Sequence, residues 1–103
     1  MASINKLMKQ AMRAQQQAQE TEAALAARTV EATSGGGAVK VVATCKGELK
    51  SLKIDPEAVD PEDVETLEDL VFTAVNSAIA EGQKIQAEEM GKVTAGLNLP
   101  GMG

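Results

Sequence analysis

The sequence predicts an α+β protein, with a long helix, three antiparallel strands and a second long helix in that order. Three observations carry this reading. From Ile4 to about Arg28, apolar and small residues recur every three or four positions with no Gly or Pro between them. From Thr29 to Ile54 the period falls to two and Gly-containing turns interrupt it, and beyond Pro61 a helical period returns. The 103 residues hold no internal repeat and fit a single domain, expected over residues 1–95, with 96–103 as a mobile tail.

In the first helix Ile4, Leu7, Ala11, Ala14, Ala18, Thr21 and Leu25 form a seam of coiled-coil type. Four of its seven positions are Ala or Thr, so the seam needs another surface to pack on, and Met8 and Met12 widen it at the N-terminal end. Thr29 to Thr33 reads as a short strand and Ser34-Gly35-Gly36-Gly37 as a turn. From Ala38 to Cys45, alternation puts Val39, Val41, Ala43 and Cys45 on one face. Lys46-Gly47 reads as a two-residue hairpin connection, and Glu48 to Ile54 as a third strand with Leu52 and Ile54 on one face. Lys40, Lys50 and Lys53 inside these strands predict a wet face or charged edges.

Asp55-Pro56 closes the sheet. Asp60-Pro61-Glu62-Asp63 reads as the start of the second helix, with Asp60 as N-cap. Val64, Leu67, Leu70, Val71, Ala74, Val75, Ala78 and Ile79 then cover an arc too broad for one sheet contact. After Gly82 the apolar content thins, so the helix is expected to project from the body until Gly91 or shortly after. Much of the 44% apolar fraction is alanine and the one aromatic residue is Phe72, which makes a thin core for a monomer. Dimerisation through the sheet or the broad helix face is the expected remedy.

Composition excludes several classes of function. There is no His, hence no imidazole base and no Ser-His or Cys-His pair, and the acids between Asp55 and Asp69 fit caps and solvated helix faces better than a catalytic pair. No enzyme activity, metal or cofactor is expected. The Gly35–Gly37 run joins two strands and lacks a following Gly-Lys-Ser/Thr, so it is not a phosphate loop. No apolar run approaches the roughly 20 residues of a membrane span, which predicts a cytoplasmic protein. The lone Cys45 sits where a small hydrophobe belongs and is expected to be a buried structural thiol.

Net charge is −5, yet it is divided unevenly: residues 1–54 carry eight Lys/Arg and four Glu, whereas residues 55–103 carry two Lys and eleven acids. The basic half can therefore present a cationic surface. At 100° per residue, Lys6, Lys9 and Arg13 fall within roughly 60° of one another, away from the Ile4/Leu7/Ala11 seam. No acid precedes Glu20, and Gln10, Gln16 and Gln17 lie near the stripe as hydrogen-bond donors for phosphate. Cations near a helix N-terminus oppose the macrodipole by about 0.3–1 kcal/mol, and a placement against that preference invites a functional reason.

Five segments carry a likeness to a known family: Leu7-Met8-Lys9-Gln10-Ala11, Gly37-Ala38-Val39-Lys40-Val41, Ile54-Asp55-Pro56, Leu67-Glu68-Asp69-Leu70-Val71 with Ala74-Val75-Asn76, and Gly96-Leu97-Asn98-Leu99-Pro100. In this order and spacing the chain resembles the YbaB/EbfC family of nucleoid-associated DNA-binding proteins. The resemblance implies an α-β-β-β-α protomer whose strands build a homodimer, helices projecting as two arms, and binding to duplex DNA at the nucleoid with low sequence specificity. It attributes DNA contacts broadly to the arms, and Lys9 lies inside a family-like segment. Lys6 and Arg13 rest on the helical wheel, and Lys84 and Lys92 are further candidates set among Glu81, Glu88 and Glu89. The alternative is a dimeric adaptor whose helices and Leu-Asn-Leu-Pro tail hold a replication or recombination protein without touching DNA.

Overall fold

Alternation along 39–44 makes the central strand the keel of the molecule. In the computed structural model, which describes residues 3–97, Val39, Val41, Ala43 and Cys45 are all completely buried. The element order is α1 (Ser3–Ala27), β1 (Thr29–Ser34), β2 (Val39–Thr44), β3 (Leu49–Ile54) and α2 (Val64–Leu97), the predicted α-β-β-β-α order. The strands form one antiparallel meander in the order β1-β2-β3. Ala32 and Leu52 flank Val41, and Ser34 and Ile54 flank Val39, so one face is apolar. On the opposite face Thr33, Lys40 and Lys53 stand in one row, as the sequence leads one to expect of a wet surface.

Helix α2 lies over β1 and β2, burying Ala74 and Ala78 against Val39, Val41 and Ala43. Alanine at these positions lets the helix backbone come close, and Gly82 comes closer still. A Cβ there would stand 3.1 Å from both the Cys45 Cα and the Thr44 carbonyl oxygen. The hydroxyl of Ser34 donates to the Leu70 carbonyl at 2.6 Å and ties the far end of β1 to the same helix. Past Gly82, α2 leaves the sheet and pairs with α1, which buries Leu25 and half-buries Ala14, Ala18 and Thr21. The outcome is long and thin: 74 × 24 × 16 Å, with a radius of gyration of 20.1 Å. A compact chain of this length would measure about 13 Å.

Three local expectations are corrected. Asp60 caps a turn and not the helix: its carboxylate accepts the Glu62 N–H at 2.9 Å and its carbonyl the Asp63 N–H at 2.9 Å. Pro61 therefore serves a β-turn, and the helix cap is Asp63, which accepts the Thr66 N–H at 3.3 Å and the Thr66 hydroxyl at 2.7 Å. The β2–β3 connection has three residues, not two, since Gly47 N–H closes a turn on the Thr44 carbonyl and Thr44 N–H returns to the Glu48 carbonyl. A register shift between Val42 and Ala43 follows it. Helix α2 also runs through Gly91 to Leu97, because pairing along α1 outweighs the roughly 1 kcal/mol that a mid-helix Gly costs. Positions 98–103 of the expected tail lie outside the described residues.

Gly47 has φ +89° with open space around it, so its role is conformational. Gly47→Ala should destabilise by about 1–2 kcal/mol through backbone strain alone, which thermal unfolding reads as a drop of roughly 5 °C or more. An unchanged melting temperature would mean that the turn adopts another conformation in solution.

Candidate nucleic-acid interface

Helix α1 is long because Ala and Gln fill it without interruption. Only its second half is covered. Ala14, Ala18, Thr21 and Leu25 pack inward, whereas Ile4 (70% exposed), Leu7 (57%), Met8 (58%) and Met12 (67%) stand in solvent. The freestanding half carries Lys6, Lys9 and Arg13, all exposed. Lys6 and Arg13 are seven residues apart, roughly 10 Å along the axis, or about three base-pair steps of 3.4 Å. Lys9, Met12, Arg13, Gln15, Gln16 and Gln19 border an open hollow of about 480 Å³.

The ion pairs separate this stripe from the other cations. Arg28 meets Glu89 at 3.8 Å, Lys40 meets Glu31 at 3.6 Å, Lys46 meets Glu22 at 4.0 Å and Lys50 meets Glu48 at 3.4 Å. Lys92 shares the Glu89 carboxylate with Arg28, at 3.2 Å. Among the described residues no ion pair engages Lys6, Lys9 or Arg13, nor Lys53 or Lys84. The free cations on α1 thus stand together on one helix, while Lys84 stands alone near Glu81 and Glu88, and Lys92 is already held by an acid.

A second exposed surface lies at the other end of the molecule. Because α2 covers β1 and β2 but not β3, Leu49 (44% exposed) and Leu52 (41%) are left open on the apolar face. Beside them Ile54, Leu67, Glu68, Val71, Phe72, Val75 and Asn76 line a groove of about 570 Å³. Phe72, 69% exposed, is the residue that the sequence reading left out of the helix arc. Its being the one aromatic side chain was the available signal. Among the described residues, no strand pairs with the outer edge of β3.

An α-β-β-β-α chain with a basic helical arm at one end and an open apolar sheet edge at the other belongs to a known class. The profile of the YbaB/EbfC DNA-binding family matches residues 1–97, and the chain belongs to that family. The chain is 54% identical to a nucleoid-associated protein of Desulforamulus reducens, over 97% of this chain and 95% of that one. It is 49% identical to a nucleoid-associated protein of Thermoanaerobacter pseudethanolicus, over 97% and 90%. Among solved structures, an uncharacterized protein of Helicobacter pylori superposes with a TM-score of 0.61 at 26% identity, over 68% of this chain and 81% of that one. No helix among the described residues is long and apolar enough to cross a membrane.

Proposed function

We propose that this protein is a nucleoid-associated homodimer of the bacterial cytoplasm that binds duplex DNA with low sequence specificity. The observation that carries the reading is the exposed, unpaired stripe of Lys6, Lys9 and Arg13 on the freestanding half of α1. Cations without a protein partner are hydrated and available, so engaging a phosphate requires no ion pair to break and releases the counterions condensed on DNA. Lys84 adds a weaker contact and Lys92 a weaker one again, since Glu89 must first be displaced. Side chains of this kind reach phosphates and carry little base information, which favours loose specificity.

Dimerisation follows from surface bookkeeping. The chain exposes 7455 Å², whereas a compact monomer of 10.7 kDa exposes about 5,500 Å². Part of that excess belongs to the arm, and part to the open β3 face and the Phe72 groove, where a second copy finds apolar surface and an unpaired strand edge. A two-fold interface there gives the assembly two arms and about six stripe cations.

The test is a mobility shift with one duplex and its scrambled version, each at 50 and 200 mM salt. Binding that salt weakens strongly and scrambling hardly changes supports the proposal. No binding at either salt, together with recovery of a replication or recombination protein in a pull-down, moves the function to the adaptor reading.

A further inference from the structure

The apolar stripe of α1 does not stop where its cover stops. Gly82 sits against Cys45, whose N–H donates to the Arg28 carbonyl at 3.0 Å, so Gly82 and Arg28 mark the same level of the arm. From there α2 runs fifteen residues to Leu97 and reaches only about as far along α1 as Arg13 or Ala14. Beyond that level Ile4, Leu7, Met8, Ala11 and Met12 are exposed, and at 100° per residue they fill one arc of roughly 140°. A stripe of this width is what a helix turns toward another packed element. Gln15 and Gln19 end it toward the body, and Asn5 and Gln10 line its two rims.

We infer that this arc is a second self-association surface, on which the arm of one copy packs against the arm of another. Charge selects the occupant. Lys6, Lys9 and Arg13 stand roughly 130–170° from the middle of the arc, with neutral Asn5 and Gln10 on the rims between. An anionic bilayer or an acidic helix seated on the arc would leave those cations on the far side, out of reach. Two identical arcs meet with no charge on either rim to repel, and one face serves both copies, as a two-fold contact requires. Met8 and Met12 are unbranched and adapt to a partner running in either direction. Area sets the strength: Ile4, Leu7, Met8 and Met12 offer on the order of 100 Å² each. Two arms thus bury roughly 800 Å² together, below the ~1,200 Å² of a stable interface, so the contact is weak and forms where arms are concentrated.

The arc lies at the opposite end of the chain from the Phe72 groove, so this contact links units already formed there. Paired arms carry their cations on two outer sides, where each can engage a separate duplex, and that consequence rests on the DNA-binding reading. The contact itself does not, so its test is made without DNA. Sedimentation is measured from about 1 μM to 1 mM on the unaltered protein and on Leu7→Gln/Met8→Gln, with circular dichroism to confirm the helices. The expected result is a further doubling of mass near 100 μM in the unaltered protein, weakened at least tenfold in the variant. A spin label at Asn5→Cys, with Cys45 buried and silent, should also broaden the amides of residues 4–12 in an unlabelled copy. No doubling and no broadening overturn the contact. A doubling that survives the substitutions overturns it too, by placing the association elsewhere. So does pelleting with phosphatidylglycerol vesicles that depends on Leu7 and Met8 in the absence of any doubling, which gives the arc to a lipid surface.

Discussion

Replacing Lys6, Lys9 and Arg13 together with Glu is expected to abolish DNA binding while leaving the fold and the proposed dimer intact. All three side chains are exposed on the uncovered half of α1, so their loss removes no packing and no ion pair among the described residues. Each substitution also adds a negative charge where a phosphate would sit, and the chain's net charge falls from −5 to −11, since three cations become three anions. With two arms on one duplex, six contacts are lost and six repulsions gained, a change of at least a thousandfold in affinity at moderate salt. A mobility shift with circular dichroism on the same sample is the check. If the triple variant binds like its parent, the phosphate contacts lie with Lys53, Lys84 or the ion-paired lysines.

Phe72→Glu is expected to split the proposed dimer and leave the chain folded. Phe72 is 69% exposed on α2 and faces away from the Val39/Val41/Ala43 core, so the fold does not need it. In the proposed two-fold interface both copies of Phe72 would be covered, each contributing about 2–3 kcal/mol of burial. Their removal raises the dissociation constant by at least a thousandfold, before any penalty for bringing two carboxylates together. Sedimentation at micromolar concentration reads the outcome directly, and the monomer should show about half the salt slope in DNA binding because it brings one arm. A dimer that survives Phe72→Glu unchanged would put the interface elsewhere, with the Thr33/Lys40/Lys53 face of the sheet as the next surface to test.

The elements themselves are legible in the sequence because each is written in a single period. The seam from Ile4 to Leu25 and the alternation from Val39 to Cys45 mark α1 and β2 to within two residues, and burial of Val39, Val41, Ala43 and Cys45 follows from the alternation. What is not legible is set by tertiary contact. Asp60 before Pro61 reads as the cap, yet the cap is Asp63, because Asp60 and Pro61 are taken up by the turn that precedes the helix. Gly91 reads as a stop, yet α2 passes through it because α1 lies alongside. The same holds at the interfaces. The basic stripe is visible on a helical wheel, but that Arg28, Lys40, Lys46, Lys50 and Lys92 are tied to acids while Lys6, Lys9 and Arg13 are not depends on which elements meet. Phe72 lies off the core face, and a period that finds cores does not register a residue that points outward.

The most direct measurement is a salt titration of duplex binding by the unaltered protein, followed from 50 to 200 mM. Six phosphate contacts predict a log–log slope near −5 and roughly a thousandfold loss of affinity across that range, with a scrambled duplex following the same line. A flat response to salt, or no binding at 50 mM, would contradict the account.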